Sequence, residues 1–475
     1  MPTTRSQSSR QTRRAVADSS EPSQDTIAKA EQHDDDVRHR GEANPQYLTN
    51  DTQWAKKRPR STGPDEPPKF TIDLSLPPEQ RYLEVCAALK HEIVGLTSLF
   101  DEVVGPMASV IPNRWLHSLC RLLLRRVYDR EENAELEGIS KATGVSMYLL
   151  VCFNVLLDLF MGCSSGGAAI GAGEGTKMVH FRTLDWGMPA LRRIVVHLEF
   201  VTEPRGSVVA SSITYAGFVG VLTGVRKDFS VSLNFRPNHN DSEDFWANTL
   251  YGWHLLMVLL GQRQSIASVL RGCLMPRRSN TDKTSRVATS YDGVVRMFGK
   301  RPSHKSGKYT GLFASTACYL CFSNGTETTV VEKDRVTAKV RSRTDFIVIT
   351  NSDEQPENNN TDAQANAAAD GKSSFSAALA EIVDEAIDRK QCAEHNWHNM
   401  KVARAAHFPT ATPAQSTRSM DVEDVITMVQ KYPTTNEMTH FACVMDPKEG
   451  NVVWCQRWVR PITAKWIREH QSSTW

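Results

Sequence analysis

The sequence predicts an α+β chain, and three observations carry that reading. Apolar residues recur at three- and four-residue spacing between residues 79 and 160. After Cys163 the texture changes to short β-rich runs separated by Gly, Pro and charged turns, the pattern of an antiparallel meander. Helical spacing then returns before a closing hairpin.

Taken in order, residues 1–68 are rich in Ser, Thr, Gln, Asp and Arg with almost no aliphatic clusters, so they cannot repay the entropy of ordering and read as a disordered polar tail. Their basic run Lys56-Lys57-Arg58-Pro59-Arg60 has the composition of a nuclear address or an acidic-surface contact, although such runs are common in tails. Phe70 to Leu74 alternates as a strand and Leu76-Pro77-Pro78 turns the chain. Helices are expected over 79–104 and 114–130, and Ser146 suits the cap of a helix running to about Phe160. That last helix is apolar nearly all round and should be buried.

The expected strands are Met178–Phe181, Ile194–Val201, Ser207–Tyr215, Val219–Leu222 and Phe229–Phe235, followed by a helical stretch at 244–271 and a polar, basic connection over about 275–309. Strands return at 312–322 and 327–333 through the hairpin signal Asn324-Gly325, then at 336–341 and 345–350. Asp353–Ser374 is a low-complexity insertion. Helices at about 376–402 and 420–431 precede a hairpin of 440–445 and 451–458 turning at Asp446-Pro447. The expected organisation is a tail (1–68), a helical N-terminal segment (69–162) and a larger unit (163–475) carrying the insertion 353–374.

Composition excludes several classes. The 475 residues carry 56 Lys plus Arg against 54 Asp plus Glu, so no global field favours nucleic acid, and none is expected as a partner. Ten cysteines are too few for a disulfide scaffold, so the fold must stand on packing. No apolar run reaches the roughly 18 residues of a membrane span; the longest, Met147 to Met161, carries Asn154 and Asp158. The N-terminus lacks the apolar stretch of a secretory signal, so the expectation is a chain of a reducing compartment, cytoplasmic or nuclear, with its cysteines as thiols.

The most informative place is Leu159-Phe160-Met161-Gly162-Cys163-Ser164-Ser165, where a buried helix gives way to the β-rich half. Gly162 permits backbone conformations closed to other residues, and a thiol directly after it can turn back on the Gly162 carbonyl. By itself Cys163 would be read as one of ten small buried hydrophobes. The next strand, Val179-His180-Phe181-Arg182-Thr183-Leu184-Asp185-Trp186-Gly187, brings an arginine and an aspartate three residues apart. Beside a thiol, a fixed cation favours thiolate and a carboxylate can hold an ammonium.

MGCSS followed by HFRTLDWG resembles the nucleophile and Arg-x-x-Asp-aromatic-Gly signature of the acid ceramidase and N-acylethanolamine acid amidase family, most like its fungal-type, ceramidase-like members. FTIDLSLPPEQRY, TYAGFVGVLTGVRKDFSVSLNFR, Phe346–Asn351 and Ile387-Asp388-Arg389-Lys390 resemble further family segments in the same order. The resemblance implies a four-layer αββα N-terminal-nucleophile hydrolase fold and a proenzyme that cleaves itself between Gly162 and Cys163, with the two pieces staying associated. It implies Cys163 as nucleophile and, through its freed α-amine, as base. Asp185 would hold the ammonium, Arg182 would position substrate and thiol, Asn351 would donate to the oxyanion, and Arg389 would orient the asparagine or the substrate carbonyl.

The substrate would be a lipid amide, ceramide first and an N-acylethanolamine or other acyl amide as the alternative, reached through transient membrane-surface contact. No cofactor and no metal are expected. A reading of another class is a silent homologue that binds lipids or partners, which has no need to keep Cys163, Arg182, Asp185 and Asn351 together. Two departures stand out: the Cys163–Arg182 interval is extended through a Gly-rich stretch read as a loop, and Phe235 follows Leu233-Asn234 where an acidic residue is expected.

Other motifs read as structural. Cys318 and Cys321 have the spacing of a metal or redox pair, but on a strand residues three apart face opposite ways. Cys392, His395 and His398 share a helix with no fourth ligand evident. The helix at 147–161, the cluster Trp253–Met257 and the run 217–220 could each line a site for an acyl chain or simply fill the core.

Overall fold

The computed structural model describes residues 66–95, 97, 113–156, 162–237, 245–275, 289–299, 315–354, 374–406 and 419–470. The tail up to 65, most of the insertion, and Leu159 to Met161 before the Gly162-Cys163 step lie outside these described residues. The strands are β1 (Lys69–Asp73), β2 (Gly162–Ile170), β3 (Lys177–Asp185), β4 (Val195–Val201), β5 (Ala210–Tyr215), β6 (Thr223–Arg226), β7 (Phe229–Phe235), β8 (Cys318–Ser323), β9 (Thr328–Lys333), β10 (Ala338–Arg343), β11 (Phe346–Ile349), β12 (Thr439–Asp446) and β13 (Asn451–Arg457). The helices are α1 (Leu83–Val94), α2 (Asn113–Leu123), α3 (Arg130–Thr143), α4 (Met147–Leu156), α5 (Phe245–Leu259), α6 (Ile266–Leu274), α7 (Tyr291–Gly299), α8 (Ser374–Ala406), α9 (Val422–Gln430) and α10 (Ala464–His470). None of these is long and apolar enough to cross a membrane.

Among the described residues, eight strands form one sheet in the order β1-β4-β5-β6-β7-β8-β9-β10, and five form a second in the order β11-β2-β3-β12-β13. The first sheet runs as the expected meander from β4 to β9, all antiparallel, with β1 added parallel to β4. β3 leaves that meander and joins β2 and β12 in the second sheet.

Alternation along β7 explains the layering. Ser230, Ser232 and Asn234 turn towards the second sheet, where they bond His180 and Ser165. Phe229, Val231 and Leu233 face the other way, into the core shared with Val269 and Cys273 of α6. α6 and α7 cover the outer side of the first sheet, and α8 and α9 cover the second. On the second sheet Ala168, Val179, Phe181, Ala442 and Val444 meet Trp397 and Val425 of those helices. The order is helix, sheet, sheet, helix: the four layers that the resemblance implied. Cys318 packs outward and Cys321 inward, each in a different apolar cluster.

Several elements differ from the sequence reading. The Gly-rich stretch after Cys163 is a strand, β2, between β11 and β3. Its glycines are there for space: a Cβ on Gly166 would stand 2.1 Å from the Ile347 carbonyl oxygen, and one on Gly167 would stand 2.0 Å from Thr328 Oγ1 on the facing sheet. Val219–Leu222 is a connection and the strand is β6, because side chains and helices take the backbone groups that a neighbouring strand would need. Val219 N–H donates to Asn154 Oδ1 at 2.8 Å, and Arg271 Nη1 donates to the Val219 carbonyl at 2.9 Å. Within the connection read over 275–309, α7 buries Val294 and Phe298, and Phe298 stacks on Phe322. α3 falls between the expected helices, although both of its ends are written in the sequence. Asp129 accepts from the Glu131 and Glu132 N–H groups, and Gly144, at φ 82°, donates back to the Ser140 carbonyl.

α3 also joins the part of the chain before residue 162 to the part after it. Glu135 accepts from Arg81 Nη1 at 2.9 Å and from both terminal nitrogens of Arg271, and Ser268 Oγ donates to Glu132 at 2.8 Å. Asn154 adds a donation to the Gly217 carbonyl at 2.8 Å.

Candidate active site at the Gly162–Cys163 junction

Cys163 is the second residue of β2 and is 0% exposed, sealed between the two sheets. Period-2 alternation aims Cys163 and Ser165 at the facing sheet and Gly162 and Ser164 at the α8 side. Arg182 lies opposite Ser165 on β3 and so shares the inner face. Its Nη2 donates to Cys163 Sγ at 3.1 Å, and its Nη1 donates to Ser165 Oγ at 3.0 Å and to Asn234 Oδ1. Burial pushes the Cys163 thiol up, with the Arg182 guanidinium pulling the other way.

Asp185 ends β3, opposite Gly162 in register and on the outer face. It accepts from Thr439 Oγ1 at 2.6 Å and forms an ion pair with Arg389 of α8. Burial raises its carboxyl and the Arg389 charge opposes the rise. A Cβ on Gly162 would come within 3.3 Å of Asp185 Cβ and 3.4 Å of Arg389 Nη1, so the residue before Cys163 sits against this pair.

Asn351 follows β11 and joins the two sides. Its Oδ1 accepts the Cys163 backbone N–H at 2.7 Å and Arg389 Nη2 at 3.0 Å, while its Nδ2 donates to the Phe235 carbonyl at 2.7 Å. All five residues singled out from the sequence therefore meet in one buried chain of contacts: Arg182, Cys163, Asn351, Arg389, Asp185. The backbone nitrogen of Cys163 is held by Asn351, whereas Asp185 is held by Arg389 and Thr439.

Sequence reasoning passed over Asn234, Ser165 and Thr439. Asn234 Oδ1 accepts from Ser165 Oγ at 2.6 Å as well as from Arg182, and its Nδ2 donates to the Ile349 and Thr350 carbonyls at 3.2 and 3.1 Å. The available signal was Phe229–Phe235 itself, where Ser, Ser and Asn alternate with apolar residues in a wholly buried strand. A polar face on such a strand needs partners. Phe235, which stands where a carboxylate was expected, contributes its backbone carbonyl instead. Further out, Tyr215 OH bonds His440 Nδ1 at 2.8 Å and His440 Nε2 donates to the Trp186 carbonyl at 2.8 Å, while burial, with the Arg192 charge, holds this imidazole well below its ordinary pKa. Among the described residues no group of His, Cys, Asp or Glu is arranged to hold a metal ion.

Two facing sheets between helix layers, with a buried Gly-Cys step opening a central strand, make the four-layer αββα arrangement. The family model for the beta subunit of N-acylethanolamine-hydrolyzing acid amidase matches residues 65–128. The chain is 31% identical over 191 residues to the Caenorhabditis elegans N-acylethanolamine-hydrolyzing acid amidase, covering 37% of this chain and 50% of that protein. It is 26% identical over 215 residues to mouse acid ceramidase, covering 39% and 52%. A solved C. elegans N-acylethanolamine-hydrolyzing acid amidase ortholog aligns with TM-score 0.39 and 21% identity, over 65% of this chain and 98% of that one. Over these stretches the chain is similar to proteins of the acid ceramidase and N-acylethanolamine acid amidase family. It spans about half the length of the curated relatives it matches.

Proposed function

We propose that the chain is an amidase for N-acyl lipids that first cleaves itself before Cys163. The observation that carries this reading is the continuous network from Arg182 through Cys163, Asn351 and Arg389 to Asp185, built around a cysteine that follows glycine. In maturation the thiol adds to the Gly162 carbonyl, the peptide C–N bond breaks as the acyl group passes from nitrogen to sulfur, and water hydrolyses the thioester. The products are a Gly162 carboxylate, a free thiol and a free Cys163 amine. Asn351 Oδ1, already on that nitrogen, then accepts from the new amine, and Asp185 lies close by to balance its charge.

In turnover the amine, with an ordinary α-amino pKa of ~7.7–8.0, takes the thiol proton as sulfur attacks the lipid amide and returns it to the leaving amine. Arg182 stabilises the thiolate. Asn351, whose side chain already touches the Cys163 nitrogen, is the proposed donor to the oxyanion of the tetrahedral intermediate. Water then releases the fatty acid from the thioester.

Ceramide is the proposed substrate, giving fatty acid and sphingoid base. An N-acylethanolamine is the alternative, favoured by the family model and by the 31% identical relative. Intact mass tests the mechanism: fragments 1–162 and 163–475, still associated, are expected. Cys163→Ala should abolish cleavage and lower turnover by ~10⁶-fold. A chain that stays whole while hydrolysing amides, or a Cys163→Ala variant that remains active, overturns it. Ceramide against an N-acylethanolamine of equal acyl length separates the two substrates.

A further inference from the structure

Asn234 and Asn351 stitch the sheets together reciprocally. Asn234 on β7 donates to the carbonyls of Ile349 and Thr350 beside β11, and Asn351 donates back to the carbonyl of Phe235 on β7. Two residues beyond each asparagine stands a charged residue, and these two also meet. Arg236 Nε donates to Asp353 Oδ1 at 3.0 Å and Arg236 Nη2 to Asp353 Oδ2 at 2.6 Å, a bidentate pair. The Arg236 guanidinium lies 5.6 Å from the Tyr319 ring centroid, the Tyr319 hydroxyl donates to Asp353 Oδ1 at 2.7 Å, and Asp334 Oδ2 is 3.5 Å from Arg236 Nη1.

Glu354 reaches the opposite way. It forms ion pairs with Lys390, the neighbour of Arg389 on α8, and with Arg341 on β10 at 2.7 Å, and its N–H donates to Glu332 at 3.2 Å. The dipeptide after Ser352 thus holds both elements whose side chains contact Asn351 or its strand: β7 through Arg236 and α8 through Lys390.

We propose that Asp353 and Glu354 are positioning residues of the Cys163 site, setting where the Asn351 amide stands and with it the Cys163 nitrogen. This rests on the amidase reading for its kinetic consequence but not for its geometry. A bidentate charged pair fixes both distance and plane, and misplacement of a catalytic group by 1 Å can cost ~100-fold in rate. Asp353 carries more of the effect, because Glu354 is 39% exposed in its side chain and solvent weakens such pairs.

The test uses the full chain and two readouts. In amide hydrolysis, Asp353→Asn should lower kcat by about 30–100-fold with KM nearly constant, Asp353→Glu should recover part of the loss, and Glu354→Gln should cost less than about threefold. In a Cys163→Ala background, where the 162–163 peptide stays intact, Asp353→Asn should speed hydrogen exchange of the residue-163 amide by about tenfold or more without a matching fall in melting temperature. Unchanged exchange and unchanged kcat overturn the proposal, as does a loss of kcat that only tracks the folded fraction. Should Asp353→Asn fail to fold, Arg236→Lys keeps the charge, loses the fork and carries the same expectations. If the parent chain hydrolyses no N-acyl amide, the functional reading falls and the exchange arm still decides the positioning role.

Discussion

Two buried polar seams cross this molecule, one at Cys163 and one between α3 and α6, and they use arginine differently. At α3, each guanidinium meets a carboxylate: Arg271 and Arg81 both close on Glu135, and Arg81 adds donations to the Leu74 and Leu76 carbonyls at 3.0 and 3.1 Å. At the junction, Arg389 is paired with Asp185, but Arg182 meets only a thiol, a hydroxyl and an amide oxygen, with no carboxylate in ion-pair reach among the described residues. A compensated seam resists separation because breaking it strands a buried charge. An uncompensated cation instead leaves the Cys163 thiol facing a charge that opposes the upward push of its burial. The same residue type therefore holds the chain together in one place and in the other faces the thiol that the proposed reaction uses.

That contrast can be broken by experiment. Glu135→Ala leaves Arg271 and Arg81 without their shared carboxylate and should cost about 3–5 kcal/mol in denaturant unfolding, while kcat per folded molecule stays unchanged. A large kcat loss would mean that the two seams are not separable. Asn351→Ala should do the reverse, lowering kcat by ~100–1000-fold with a smaller effect on unfolding, if its amide serves the oxyanion. A change confined to KM would remove it from that role.

The smallest effect is a pH slope. Burial pushes the Glu132 carboxyl up to about 8 from its ordinary 4.5, so the folded chain keeps a proton that the unfolded chain releases between those values. The associated stability is fully present below pH 4.5 and is lost as pH rises through about 8. Glu132→Gln should flatten the fall in melting temperature over that window, and an unchanged slope would assign the dependence elsewhere.

Legibility in the sequence followed the range of the interactions. The Asn324-Gly325 hairpin was readable because its turn is local: Gly325 sits at φ 84° and Asn324 Oδ1 accepts from the Thr326 and Glu327 N–H groups at 2.8 and 2.9 Å. β2 was not readable, since glycine is depleted in strands by propensity, and only the facing Ile347 and Thr328 explain why nothing larger fits. Cys163, Arg182, Asp185, Asn351 and Arg389 could be nominated from short motifs, but Asn234 could not, because its partners lie 52 and 69 residues back and up to 116 ahead in the chain.

By itself, the sequence determined the succession of a helix-rich, a strand-rich and a second helix-rich stretch, the Gly-Cys step and the identity of the charged groups around it, all of which are written in local spacing. Only the tertiary structure decided that Asn351 holds the Cys163 nitrogen while Arg389 holds Asp185 beside Gly162. The reason is geometric: a strand sends alternate residues to opposite faces, so what Cys163 and Gly162 each touch depends on which layer packs on which side.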